Sequence, residues 1–179
     1  MIKRLVGIMA VTAAMAFGQG KPAGSPAANL ELTVYLLSGV AQGEAADDVP
    51  QDLVATVKQL RSIFNYKSYK LTESFMLRGR LGAGAKAAGV LPGGAGLNYE
   101  FRYGFVSASS ETPPLFRINA LRILLTRPHR VGGENVVDTV ASIETDLDIR
   151  EGQKTVVGKS SVSSSGDALI LVIVPKIVE

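Results

Sequence analysis

The chain closes on "DALILVIVPKIVE", in which no residue from Ala168 to Pro175 carries a charged or polar side chain. A strand points successive side chains to opposite faces, so a segment apolar at every position has no face to offer water. It is either a central strand covered on both sides or one that lies against lipid. Just before it, "KTVVGKSSV" is β-rich, and Ser163 to Gly166 supply a turn. The two pieces predict a terminal β-hairpin.

A chain of 179 residues is long enough to build a sizeable core around such a strand. Its first residues, "MIKRLVGIMAVTAAMAFGQG", place Lys3 and Arg4 before an apolar stretch, Leu5 to Ala13, and the small-x-small triplet Ala14-Met15-Ala16. That order predicts a secretory signal peptide over residues 1–16. The apolar stretch is shorter than the roughly 20 residues a spanning helix needs. Residues 17–29, rich in Gly, Pro and Ala, read as a flexible leader, and 30–179 are left for a single domain with a sub-boundary open near 82–96. There is no cysteine, which excludes a disulfide framework, a thiolate metal site, a cysteine nucleophile and a lipoprotein anchor. An exported chain held by its core alone fits a bacterial periplasm, free or associated with the outer membrane.

The net charge of +3 includes the two cations of the signal, so the basic balance is no nucleic-acid signature. Its distribution says more. Lys58 to Lys86 is almost wholly basic and includes Arg78 and Arg80, whereas Glu134 to Glu151 is almost wholly acidic and includes Glu144, Asp146 and Asp148. These runs read either as two solvated faces or as complementary surfaces for a protein partner or a second copy, with Arg78, Arg80, Glu144, Asp146 and Asp148 as the contact residues.

Along the chain, "LELTVYLLSG" predicts a strand over Leu30 to Leu37. "DDVPQDLVATVKQLRSIF" predicts a helix: Asp48 as cap, Pro50 in the first turn, Gln51 as in a capping box, then Leu53, Val57, Leu60 and Phe64 on one stripe. "NYKSYKLTESFMLRGR" returns to strand, which makes a β-α-β front unit. "GAGAKAAGVLPGGAG" reads as a loop or flap. In "LNYEFRYGFV", Leu97, Tyr99, Phe101, Tyr103 and Phe105 share one buried aromatic face. Residues 114–128 are ambiguous between helix and strand, with strand favoured by the flanking prolines, and 136–149 read as a long strand or a bent pair. The predicted class is α+β: a β-α-β front unit, then a mostly antiparallel β region with the C-terminal hairpin.

That hairpin resembles the end of the secretin domain, the outer-membrane channel family of type II and type III secretion and type IV pili. Gly152, Gln153, Thr155, Val156, Val157 and Gly158 match its first strand; Leu169 to Val174, with Pro175, Ile177 and Val178, match its second. The front unit is also similar in kind to the ring-building modules that precede secretin barrels. Lys159 stands where the family often places a second glycine, and too few strands precede the hairpin for a gate and barrel. The resemblance implies a small secretion- or pilus-associated component, not a channel by itself.

Catalytic constellations are missing from the sequence. His129 is the one histidine, set in "TRPHRVGG" with no nucleophile paired to it, and reads as a surface-loop residue. One His and no Cys leave no zinc set, "SIETDLD" lacks calcium-loop spacing, and Gly82-Ala83-Gly84 lacks the rest of a nucleotide loop. The aromatics do not interleave with the basic positions as a single-stranded nucleic-acid surface requires. The expectation is a non-catalytic exported envelope protein, without cofactor, metal or nucleic acid, acting through protein contacts. The other reading is a periplasmic small-ligand-binding domain, with Tyr99, Phe101 and Tyr103 lining a pocket under the Gly-rich flap.

Overall fold

The structure, a computed structural model, describes residues 29–43, 46–93, 96–162 and 166–178. The expected signal peptide, all of the leader except Asn29, and Ser163 to Ser165 of the hairpin turn lie outside the described residues. The elements run β1 (Asn29–Val40), α1 (Val54–Ile63), β2 (Ser68–Arg80), β3 (Ala85–Val90), β4 (Asn98–Tyr103), β5 (Phe105–Ala108), β6 (Leu115–Val131), β7 (Glu134–Arg150), β8 (Thr155–Ser161) and β9 (Ala168–Val178). Two antiparallel sheets result: sheet A in the order β2-β1-β9-β8, and sheet B in the order β3-β4-β6-β5 with β7 on the other side of β6.

The apolar terminal strand is explained by its place. β9 lies between β1 and β8, and alternation sends its residues into two different cores. Leu169, Leu171 and Ile173 join Leu30, Leu32, Val34 and Leu36 of β1 against Phe101, Phe116, Ile118, Leu121 and Ile123 of sheet B. Ile170 and Val172 face the other way, onto Leu53, Val57 and Leu60 beneath the helix. Both faces of β9 are therefore covered by protein from Ala168 to Ile173. Each fully buried Leu or Ile there contributes about 1.5–3 kcal/mol, so polar substitution on either face is strongly destabilising.

This architecture overturns the expected α+β class and its β-α-β front unit. Strands hold 66% of the described residues and helix 9%, which makes the fold mostly β. The helix does sit between β1 and β2, but those strands are hydrogen-bonded antiparallel neighbours, whereas a β-α-β unit needs parallel ones. The front segment is also no separate ring-building module, since β9 supplies the other flank of β1. The amphipathic stripe places α1 on one face of sheet A and carries no information on the direction of the strand that follows.

At the helix start, Asp48 is no side-chain cap. A 3₁₀ turn at Gln51–Leu53 precedes α1 and no side chain caps either segment. The Asp48 backbone instead bonds both ways with β2, donating to the Tyr69 carbonyl at 2.9 Å and accepting from the Leu71 N–H at 2.8 Å.

Register shifts decide which face a strand presents, and two of them, in β2 and β6, show how. β2 carries an extra residue, Thr72, opposite the Leu36–Leu37 step of β1. Before it Tyr69 packs under the helix; after it Phe75 and Leu77 pack between the sheets. The same happens in β6 at Asn119 and Ala120, where Ile118 and Leu121 oppose Leu147 and Thr145. One inserted residue flips every side chain beyond it: in β2 it moves the apolar residues from the helix side to the core between the sheets, and in β6 it keeps them facing that core along the strand.

The middle of the Gly-rich stretch, Ala85–Val90, is a strand and not a loop or flap. A Cβ at Gly89 would meet the Tyr99 ring at 2.8 Å, and one at Gly84 would meet the Gly104 carbonyl oxygen at 2.6 Å. Glycine marks close approach at these positions, not mobility.

Candidate functional site

Arg78 and Arg80 lie on the outer face of sheet A, on the part of β2 that α1 does not reach, and Glu144, Asp146 and Asp148 lie on the outer face of sheet B. The sandwich core separates the two groups. Within one molecule they do not meet.

The acidic residues share one face of β7, as their spacing predicts, but each is engaged by β6. Asp148 accepts from Arg117 Nε at 3.1 Å and Nη2 at 3.3 Å. That hydrogen bond raises the Arg117 pKa further above its ordinary value. Asp146 accepts the Ala120 backbone N–H at 2.6 Å, and Glu144 stands 3.6 Å from Arg122. On the same sheet, Glu100 is held by Lys86, whose hydrogen bond depresses its carboxyl below the usual range. This face neutralises itself.

On sheet A, Arg78 pairs with Glu31 at 2.7 Å. Arg80 ends β2 opposite Asn29, exposed and without a carboxylate partner among the described residues.

The most distinctive feature of the surface lies elsewhere. β4 follows β6 only as far as Thr126, and beyond that residue β6 pairs, among the described residues, with β7 alone. Arg127 to Val131 and Glu134 to Asp138 thus form a two-stranded arm about 17 Å long, at ~3.4 Å per residue. Gly132 and Gly133 turn it with φ of 61° and 93°, values of the type I′ turn that suits a tight hairpin. Pro128 is tolerated because no third strand asks for its missing N–H. Val131 and Val137 are 58% and 62% exposed, on opposite sides of the ribbon. His129 belongs to this arm and not to a loop; its Nδ1 stands 3.5 Å from Asp138. The dipeptide Gly132-Gly133 between two β-rich runs was the available signal for the arm.

The expected aromatic pocket is filled. Phe75 stacks on Tyr99 at 5.1 Å and meets Phe101 edge-on at 5.6 Å, while Phe101 and Tyr103 are buried in the core. Phe105 leaves that face: Gly104 separates β4 from β5, and Val106 turns inward while Phe105 is 46% exposed. Among the described residues, no group of His, Asp and Glu could hold a metal ion, and no helix is long and apolar enough to cross a membrane.

No family model, curated protein or solved structure matches the chain.

Proposed function

We propose that the chain is a non-catalytic exported envelope protein that works through protein–protein contacts, with the β6–β7 arm as its contact element. The observation that carries this reading is the arm itself. A two-stranded ribbon is marginally stable alone, yet this one extends past every neighbouring strand and holds Val131 and Val137 out to solvent. Its own edges are guarded by Pro128 on β6 and by Glu134 and Asp138 on β7, which discourages indiscriminate strand pairing and favours contact through its faces. The predicted signal peptide and the secretin-like spacing of residues 152–178 favour an envelope setting and a place beside secretion or pilus machinery.

A photocrosslinking amino acid at Val131 or Val137, in the exporting cell, is expected to give discrete adducts with another polypeptide, either a second copy or a different chain. The same probe at Ala88, exposed on sheet B, is expected to give none. Adducts at Ala88 with none on the arm would overturn the proposal. So would thermal stabilisation by a small metabolite together with an arm that forms no adducts, the signature of a ligand-binding domain.

A further inference from the structure

We propose that the helix-bearing face of sheet A docks on an anionic lipid surface. The two outer faces of the sandwich differ in charge. On sheet B, Glu100, Asp148 and Glu144 each face a cation of the same sheet, so little field extends outward. On the helix-bearing face of sheet A, the carboxylates among the described residues are each taken up: Glu31 by Arg78, Asp47 by Arg61 at 2.6 Å, and Asp52 by Lys154 at 3.2 Å. Lys58 on α1, Lys67 after it, Arg80 and Lys176 at the base of the sheet, and Lys159 on β8 are all exposed and left over. None has a carboxylate within ion-pair distance among the described residues.

The parity of the strands puts these charges on one side. Lys176 and Arg78 are both in register with Glu31, and Lys159 is in register with Ile170, which faces the helix. Lys159 lies 5.5 Å from the Phe64 ring just past the end of α1.

The residue types favour lipid over an acidic protein. Four of the five unpaired cations are lysine, which protein interfaces deplete in favour of arginine. A lysine is a point charge on a flexible stem, suited to a diffuse layer of phosphates and not to one fixed carboxylate. The exposed apolar residues here, Ile63, Met76 and Val54, sit singly among the charges and not as the packed central cluster of a protein hot spot. The proposal stands independently of the arm, which carries no excess of cations over anions beyond His129.

The test is co-sedimentation of the full chain with phosphatidylcholine vesicles, with and without phosphatidylglycerol, at low and high salt. Binding is expected to need phosphatidylglycerol and to fall as salt rises. Each cation near an anionic bilayer contributes about fivefold, so Lys58→Gln/Lys67→Gln/Lys176→Gln is expected to weaken binding on the order of 100-fold. Arg127→Gln/Arg130→Gln, which removes arm cations, should leave it unchanged. All three lysines are exposed, and equal unfolding midpoints will show that the variants fold. Equal, salt-insensitive binding to both vesicle types would mean that the apolar residues 5–13 do the binding, and would overturn the proposal. Salt-sensitive binding to soluble polyglutamate but not to phosphatidylglycerol vesicles would overturn it in favour of an acidic protein.

Discussion

Asp146 offers the sharpest separation of a structural role from an interaction role. It lies in the acidic run that its sequence marks for contact with a partner, yet its carboxylate accepts the backbone N–H of Ala120 at 2.6 Å. Ala120 is the residue that β6 inserts, held at a φ of 50°, where a side chain with a Cβ is strained by roughly 1–2 kcal/mol. A hydrogen bond to a charged acceptor contributes about 1.5–3 kcal/mol, and the exposure of this pair places it at the low end. Asp146→Ala is therefore expected to lower the unfolding free energy by about 1.5 kcal/mol. With urea slopes of about 1–3 kcal/mol/M, the midpoint should fall by roughly 0.5–1.5 M at unchanged slope. Asp146→Asn keeps an acceptor oxygen and should lose about half as much. Ala120→Gly in the Asp146→Ala background should recover part of the loss, because glycine adopts positive φ without strain, offset by its greater freedom in the unfolded chain. An Asp146→Ala midpoint equal to that of the parent chain would refute this account. If the same variant then sedimented as a smaller species, Asp146 would return to the role of an intermolecular contact.

Two further outcomes follow from single side chains. The Asp47 carboxyl is depressed chiefly by its hydrogen bond from Arg61, with burial acting the other way and the Tyr69 N–H assisting. A depressed folded pKa means that Asp47 stabilises above the ordinary value of 3.8 and loses that contribution as pH falls through its folded value. Asp47→Asn should lower stability at neutral pH by no more than about 1 kcal/mol, given its exposure, and should flatten the acid limb of the stability curve; an acid limb identical to the parent's would refute the assignment. The Tyr103 hydroxyl is buried without a hydrogen-bond partner among the described residues, against the space where a Gly79 Cβ would stand, and burial pushes its pKa up. Tyr103→Phe should be neutral or stabilising by up to about 1 kcal/mol in thermal or urea unfolding, and a clear loss of stability would mean the hydroxyl has a partner after all.

How much of the fold can be read from the sequence depends on whether a pattern is complete within one element. β9 is legible as a strand with no solvent face, its apolar run leaving open whether protein or lipid covers it, and β1 is legible because Leu30, Leu32, Val34 and Leu36 alternate without interruption. α1 is legible from Leu53, Val57, Leu60 and Phe64. β6 is legible only through its flanking prolines and neighbouring strands, which favour strand, because its own pattern is ambiguous with helix, and the bulge is the reason. Its inward residues are Phe116, Ile118, Leu121, Ile123 and Leu125, and the inserted residue creates the spacing Ile118, Leu121, Leu125, which is that of a helix face. The Gly-rich strand hides for a different reason. Gly89 is there to let the ring of Tyr99 lie against the backbone, a requirement set by the neighbouring strand and invisible in the segment itself. Strand direction is also non-local: nothing in β1, α1 or β2 separately states that the chain returns antiparallel.

The charge runs show why a surface cannot be read from one segment. Glu144, Asp146 and Asp148 form an acidic face only until β6 is laid beside them, because the register brings Arg122 and Arg117 opposite the outer two and the bulge aims a backbone N–H at the middle one. Those cations lie 22 and 31 residues earlier in the chain, outside any window in which a charge run is counted. The basic run is compensated only in part. Lys86 crosses to sheet B and pairs with Glu100, and Asp47 and Glu31 take up Arg61 and Arg78, but Lys58, Lys67 and Arg80, spread over a helix, a loop and an edge strand, have no carboxylate within ion-pair distance among the described residues. A balanced sequence thus folds into an unbalanced surface, and the side that keeps its charge is the one built from irregular neighbours. Lys70 marks the limit of the argument: it precedes the Thr72 bulge, so strand parity turns it away from the face that Arg78 and Arg80 occupy, although the sequence places all three in the same run. Inserting or deleting one residue at the bulge would exchange those positions, which makes the face a property of strand register and not of composition.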